Sequence, residues 1–166
     1  LPKRADGSGA VVLRSMPNMP AAIGRGVTAL YTADAPAPIT ALAAQLLSAV
    51  GAVVTIDDEG LMDAVTAVSG SGPAYVFLLA ETMTDAGIAA GLPAALAKKL
   101  AEATVAGAGE MIALSDDSPL QLRVNVTSRG GTTAAALAAL MDDDGLAPLV
   151  KRAIMAARDR SIELGS

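Results

Sequence analysis

The stretch Thr127-Ser128-Arg129-Gly130-Gly131-Thr132-Thr133 runs directly into the helical segment AAALAALM. Glycines let a chain fold so that successive N–H groups point into one concavity. A following helix adds its unpaired N–H groups and the positive end of its dipole. Such a junction suits an anion, either a carboxylate or a phosphate. Ser128, Thr132 and Thr133 add hydroxyls that donate or accept. The same letters also spell a glycine turn followed by a Thr N-cap, which is the commoner use of such a sequence. Spacing alone leaves both readings open.

Other chemistry-bearing runs carry less. Gly24-Arg25-Gly26-Val27-Thr28-Ala29 fits the dinucleotide fingerprint G-x-G-x-x-A as text. A proline-rich turn precedes it and a strand-like run follows it, whereas the fingerprint needs a strand before and a helix after. Gly70-Ser71-Gly72 opens a helix without the third glycine, and Gly7-Ser8-Gly9 has neither element placed correctly. The acidic runs Asp57-Asp58-Glu59 and Asp142-Asp143-Asp144 sit at element boundaries, where carboxylates cap helices. Asp116-Asp117 before Pro119 reads as a solvated turn, so no metal site is specified. The methionines at helical spacing read as core filler.

Composition removes whole classes of mechanism. The 166 residues contain no Cys, His or Trp, and 37 are Ala. Without Cys there is no disulfide framework or thiol nucleophile. Without His there is no Ser-His-Asp triad, imidazole shuttle or ordinary zinc site. A formal charge of −5 with 12 scattered basic residues argues against a nucleic-acid surface. The longest charge-free run, between Asp34 and Asp57, holds Pro36, Pro38, Gln45 and Gly51, which makes a poor membrane span. No signal peptide opens the chain, so a soluble cytoplasmic protein is expected.

Several elements must position the glycine loop. Residues 1–10 read as a polar leader or as the cut end of something longer. Val11-Val12-Leu13, Gly26 to Tyr31 and Ala52 to Ile56 read as short strands. Met16-Pro17-Asn18-Met19-Pro20 reads as a rigid turn without helix. Ile39 to Val50 is a helix by its Leu42, Leu46, Leu47 and Val50 spacing. From Glu59 the pattern is helical: Glu59 to Val68, a break at 69–72, then Ala74 to Ala90 with Pro73 in its first turn. Tyr75 to Leu79 is apolar nearly all round and should be buried on more than one side. Residues 93–114, Pro119 to Thr127, Ala134 to Met141 and Leu146 to Leu164 follow. Gly107 and Gly109 each cost about 1 kcal/mol in a helix interior, so another helix should pack on the backbone there. The last helix carries two apolar lines, one through Leu149, Ala153 and Ala157 and one through Met155 and Ile162, and so needs two partners. The second partner could belong to another subunit.

Three stretches resemble the pyrroline-5-carboxylate reductase family. Arg14 to Ala21 is similar to R-x-M-P-N-T-P. Asp63 to Tyr75 matches D-A-V-T-x-x-S-G-S-G-P-A-Y. Gln121 to Thr133 ends in a counterpart of the V-[ST]-S-P-G-G-[TS]-T core. The likeness runs from about Val11 to the C-terminus. Met19 stands where the family usually has Thr, and Arg129 where it commonly has Pro. The family's N-terminal Rossmann domain is not in this sequence, so the chain reads as the C-terminal portion of a longer enzyme.

The resemblance implies a mainly α fold. Residues 1–57 are then a residual part of the dinucleotide-binding α/β domain, contributing short strands. Residues 58–166 are an interlocked helical dimerisation and substrate domain, like the C-terminal domain of 6-phosphogluconate dehydrogenase. It implies hydride transfer from NADPH or NADH to the C=N carbon of 1-pyrroline-5-carboxylate, giving L-proline. A cyclic imine carries its own proton near neutral pH, so orientation and electrostatics suffice without His or Cys. By the same resemblance Gly130, Gly131, Thr132 and Ser128 hold the substrate carboxylate, and Thr133 bonds the ring nitrogen as the catalytic contact. Asn125 supports the loop, while Met16, Pro17, Asn18 and Ser71 lie near the nicotinamide. A homodimer, extending in the family to oligomers of dimers, is implied, with no nucleic-acid or membrane partner. Two other readings stand beside it: a non-catalytic oligomerisation module, and a related dehydrogenase with a Rossmann and a helical domain. The chain alone is expected to be inactive.

Overall fold

A computed structural model describes residues 10–33 and 35–165. The Gly7-Ser8-Gly9 run and nearly all of the polar leader lie outside the described residues. Contacts divide the chain into two compact units. One runs to Pro73 and resumes at Ile154, and the other spans Ala74–Ala153.

The first unit is built on three strands, β1 (Arg14–Met16), β2 (Gly26–Tyr31) and β3 (Gly51–Ile56), in the order β1-β2-β3. β2 pairs antiparallel with β1 and parallel with β3, with Gly26 opposite Gly51 and Tyr31 opposite Ile56. Flanked on both sides, β2 supplies much of the core: Thr28, Ala29 and Leu30 are buried. A parallel pair needs a crossover, here α1 (Ala37–Ser48). It begins two residues before the expected Ile39, because Pro38 has no N–H to lose in a first turn.

The expected strand Val11-Val12-Leu13 is instead irregular, and the strand is Arg14–Met16. The register explains this. Arg14 already faces Tyr31, the last residue of β2, so residues farther back would face Thr32 and Ala33, where the chain turns with φ +43° at Ala33. The proline-rich turn also holds more helix than expected, a short 3-10 helix over Met19–Ile23 with Pro20 in its first turn. Gly24-Arg25-Gly26 then enters a strand, so the dinucleotide fingerprint fails on context.

After β3 the expected single helix Glu59 to Val68 is three segments. A 3-10 turn (Glu59–Leu61) leads into α2 (Met62–Val65) and then a π turn (Thr66–Gly70). Asp58 caps the first, accepting from Gly60 N at 2.8 Å. In the last, Thr66 and Ser69 hydroxyls donate back to Met62 O and Val65 O, both at 2.9 Å. Such back-bonding competes with the regular helix ladder and bends it. Met62 and Ala67 are buried here. Ser161, near the C-terminus, donates to Asp63 Oδ1 at 2.6 Å and ties the end of the chain to α2.

The second unit is helical. It takes most of α3 (Gly72–Ala89), then α4 (Ala94–Leu114), α5 (Pro119–Asn125), α6 (Thr132–Leu140) and the start of α7 (Leu146–Gly165). Ser118 caps α5, accepting from Gln121 N at 3.2 Å. Ala97 and Ala101, one turn apart on α4, are its buried apolar residues. Other faces expected to be covered are exposed among the described residues. Val76, Phe77, Leu78 and Leu79 on α3 are 45–58% exposed. A Cβ added at Gly107 or Gly109 would meet nothing within 4 Å. Met155 and Ile162 on α7 are also exposed. Mainly helical architecture with a small sheet is thus the fold. Among the described residues no helix is long and apolar enough to cross a membrane.

Candidate functional site

The glycine loop leaves α5 through Thr127, whose hydroxyl donates to Arg123 O at 2.6 Å and whose N–H donates to Val124 O at 3.0 Å. Gly131 N then donates to Ser128 O at 3.1 Å and closes a four-residue turn. Gly130, third in that turn, has φ +72°, while Arg129 before it stays out of the left-handed region. This is the sign pattern of a type II turn, which wants glycine at the third position and proline at the second. It accounts for Gly130 and for the fit of proline at the Arg129 position.

The turn delivers the chain to α6 without a threonine cap. Gly131 is the N-cap residue, with φ −81° and ψ 175°, and makes no side-chain cap hydrogen bond. Thr132 and Thr133 are the first two helical residues, so the expected Thr N-cap is absent. The first helical bond runs from Ala135 N to Gly131 O at 3.2 Å. The N–H groups of Thr132, Thr133 and Ala134 precede it and face no backbone or side-chain acceptor among the described residues. Three free donors at the positive end of a helix form an anion cradle. Ser128 Oγ sits where a Cβ on Gly131 would collide with it, so the hydroxyl rests against the cradle's edge.

Ser128, Gly130, Gly131, Thr132 and Thr133 therefore come together at one junction. Thr132 is exposed, and Thr133 is half-buried on the wall of an open apolar cleft of about 320 Å³, with Met111, Leu122, Val126 and Leu137. The side-chain bonds of Asn125 run to α5 and the segment before it. Its carboxamide accepts from Gln121 Nε2 at 2.7 Å and donates to Asp117 Oδ2 at 3.2 Å, because its place in the last turn of α5 aims it back along the helix.

A second group forms in the other unit. Asn18 Nδ2 donates to Ser69 O at 3.2 Å, and Asn18 Oδ1 accepts from Val27 N at 2.9 Å. Met16 Cε lies 2.5 Å from where a Cβ on Gly70 would stand. Met16, Pro17 and Asn18 are thus brought beside the Ser69–Ser71 stretch. The π turn at Thr66–Gly70 in this stretch carries no signal in the residue pattern. Of the acidic runs, Asp58 is a cap, and Asp142 Oδ1 accepts from Asp143 N at 2.9 Å. No cluster of three or more metal-ligating side chains is found among the described residues.

The sequence profile of the pyrroline-5-carboxylate reductase dimerisation family matches residues 59–164. The pyrroline-5-carboxylate reductase of Synechocystis is 48% identical over 155 residues, covering 93% of this chain and 57% of that protein. That of Pseudomonas aeruginosa is 48% identical over 154 residues, covering 92% and 56%. The chain thus spans a little over half the length of these relatives. Among solved structures, a pyrroline-5-carboxylate reductase from Coxiella burnetii superposes with a TM-score of 0.87 at 38% identity, over 92% of this chain and 56% of that one. The Plasmodium falciparum pyrroline carboxylate reductase, solved with NADP bound, gives 0.81 at 33% identity over 97% and 65%. With the dimerisation profile laid over α2 to α7 and the likeness extending back through the sheet, this chain belongs to the pyrroline-5-carboxylate reductase family.

Proposed function

We propose that this chain supplies the substrate-binding and dimerisation part of an NADPH- or NADH-dependent pyrroline-5-carboxylate reductase, which reduces 1-pyrroline-5-carboxylate to L-proline. The start of α6 carries the reading: three unpartnered N–H groups behind a glycine turn, in a chain of this family. The substrate carboxylate lies against the N–H groups of Thr132, Thr133 and Ala134. Gly130 and Gly131 shape the approach and keep it free of side chains, and the Ser128 and Thr132 hydroxyls add donors. Thr133 Oγ1 accepts from the protonated ring nitrogen and so orients the C=N carbon. Asn125 supports the stem of the loop through α5 rather than the loop itself.

The nicotinamide cofactor supplies a hydride. The residues assigned to it are uncharged and suit its ring: a thioether, a proline ring and a hydroxyl at Met16, Pro17 and Ser71, with Asn18 holding the neighbouring stretch through Ser69 O. Orientation and electrostatics are then the protein's contribution. Residues 1–57 continue a dinucleotide-binding α/β domain and 58–166 form the helical domain, a boundary supported by a family match that starts at residue 59. The exposed apolar faces of α3, α4 and α7 support a homodimer, with oligomers of dimers as the next level. The partners are a small cyclic carboxylate and a second copy of the chain, with no nucleic acid or membrane, in the cytoplasm.

Titration of L-proline into the 15N-labelled chain tests the site. The amides of Thr132, Thr133 and Ala134 should shift most, and Thr133→Ala should weaken binding. Saturable shifts confined to other segments would remove the loop from the substrate site.

A further inference from the structure

We propose that Asn18 is a positioning residue that clamps the π turn of residues 66–70 onto the Met16-Pro17-Asn18 turn and so fixes where Ser71 stands. Its use in hydride transfer rests on the function proposed above. In an α-helix the carbonyl of Ser69 would accept from the residue four places on. That residue is Pro73, which has no N–H. Asn18, 51 residues away in sequence, supplies the missing donor through Nδ2 at 3.2 Å. The same carboxamide accepts from Val27 N at 2.9 Å, at the start of β2. Only a group that donates and accepts at once can make both bonds, and the carboxamide does so.

Two further contacts join the same segments. Met16 Cε sits against Gly70 so closely that a Cβ would stand 2.5 Å from it, so a side chain there would push the methionine end aside. The π register itself is closed by Ser71 N donating to Thr66 O at 2.8 Å. Ser71 is therefore placed by a turn held from within by its own hydroxyls and from outside by Asn18. Both polar atoms of Asn18 are engaged, so it acts through Ser71. Single π turns inside helices recur at functional sites, where they re-aim a residue.

Amide hydrogen exchange on the chain itself separates the two bonds. Asn18→Asp keeps the acceptor for Val27 but turns a carboxylate toward the Ser69 carbonyl. Asn18→Leu removes both bonds. Exchange at Ser71 should quicken about tenfold or more in both variants, as expected when a local opening becomes easier. Exchange at Val27 should quicken only in Asn18→Leu. If Ser71 exchange is unchanged in Asn18→Asp, Asn18 does not hold the turn. Should Asn18→Leu fail to fold, that Asp result decides alone.

Turnover is read separately, with this chain fused behind the dinucleotide-binding half of the Pseudomonas aeruginosa relative. Asn18→Asp should lower kcat about tenfold or more, since small misplacements at a reacting centre are costly. KM for 1-pyrroline-5-carboxylate should stay within about twofold, because the α6 loop is untouched. An active parent fusion with equal kcat in the variant overturns the positioning role. An inactive parent fusion counts against the proposed function, while the exchange result still decides the clamp.

Discussion

Gly130→Ala isolates one backbone angle. At φ +72° a Cβ added to Gly130 meets nothing within 4 Å, so the substitution introduces no collision. What remains is the left-handed conformation, which costs an L-residue about 1–2 kcal/mol. A gain of about 0.4–1 kcal/mol from the stiffer unfolded chain offsets part of it. The net loss is on the order of 1 kcal/mol, or about 2–4 °C in Tm for a chain of this size. If the turn escapes the strain by rearranging, proline must restore it on binding, and affinity falls roughly fivefold for each kcal/mol. Gly72→Ala is the matched control: it too has open space around the added Cβ, but it lies in the first turn of α3 without a left-handed φ. Calorimetric melting and proline titration of both variants give the answer. Equal Tm and equal proline affinity in Gly130→Ala and the parent would refute the turn geometry and its link to the anion cradle.

Arg129→Pro should move the same turn the other way. It raises stability by about 0.4–1 kcal/mol, because proline suits the second position of a type II turn, and a lower Tm would contradict that turn type. Ser161→Ala removes a donor to a carboxylate at 2.6 Å. A loss of about 1.5–3 kcal/mol in thermal or denaturant unfolding is expected, and an unchanged midpoint would show that the end of α7 does not stabilise α2. Gly107→Ala should gain up to about 1 kcal/mol of helix propensity in the dilute single chain. It should weaken the dimer by about 1–3 kcal/mol if a partner helix packs on that face. Sedimentation at several concentrations distinguishes these effects, and a raised Tm with an undiminished dimer would mean that face is open in the assembly.

The loop was legible because its chemistry is local. Glycines at 130 and 131 before an alanine-rich helix announce a turn and a free helix start, and the structure places both there. Which residue caps α6 was not legible: Thr132 and Thr133 both look like caps, and the turn settles it by making Gly131 the last non-helical residue. The helices of the second half were readable from their period to within two residues at most ends. Val11 to Leu13 misled because β-propensity says nothing of register, and the end of β2 at Tyr31 leaves those residues without a partner strand. The π turn was hidden because its cause is distributed. It needs Thr66 and Ser69 bonding backward, Pro73 withholding a donor, and Asn18 arriving from 51 residues away. The partners of Asn125 were not legible, because a position near the loop in sequence does not fix the direction of a side chain in a final helical turn.

Four of the buried apolar residues described, Ala29, Ala67, Ala97 and Ala101, are alanines, and only Leu30 and Met62 add large side chains to them. A single chain that hides so little hydrocarbon has a small heat-capacity change of its own, since that quantity follows the apolar area withdrawn from water. In the homodimer proposed above, Phe77, Leu78 and their neighbours would be withdrawn from water as well. Folding and assembly then share one free energy, and the law of mass action enters the melting curve: the midpoint climbs with protein concentration. Positions such as Phe77 and Leu78, outermost on one copy, would then respond to substitution as interior ones do.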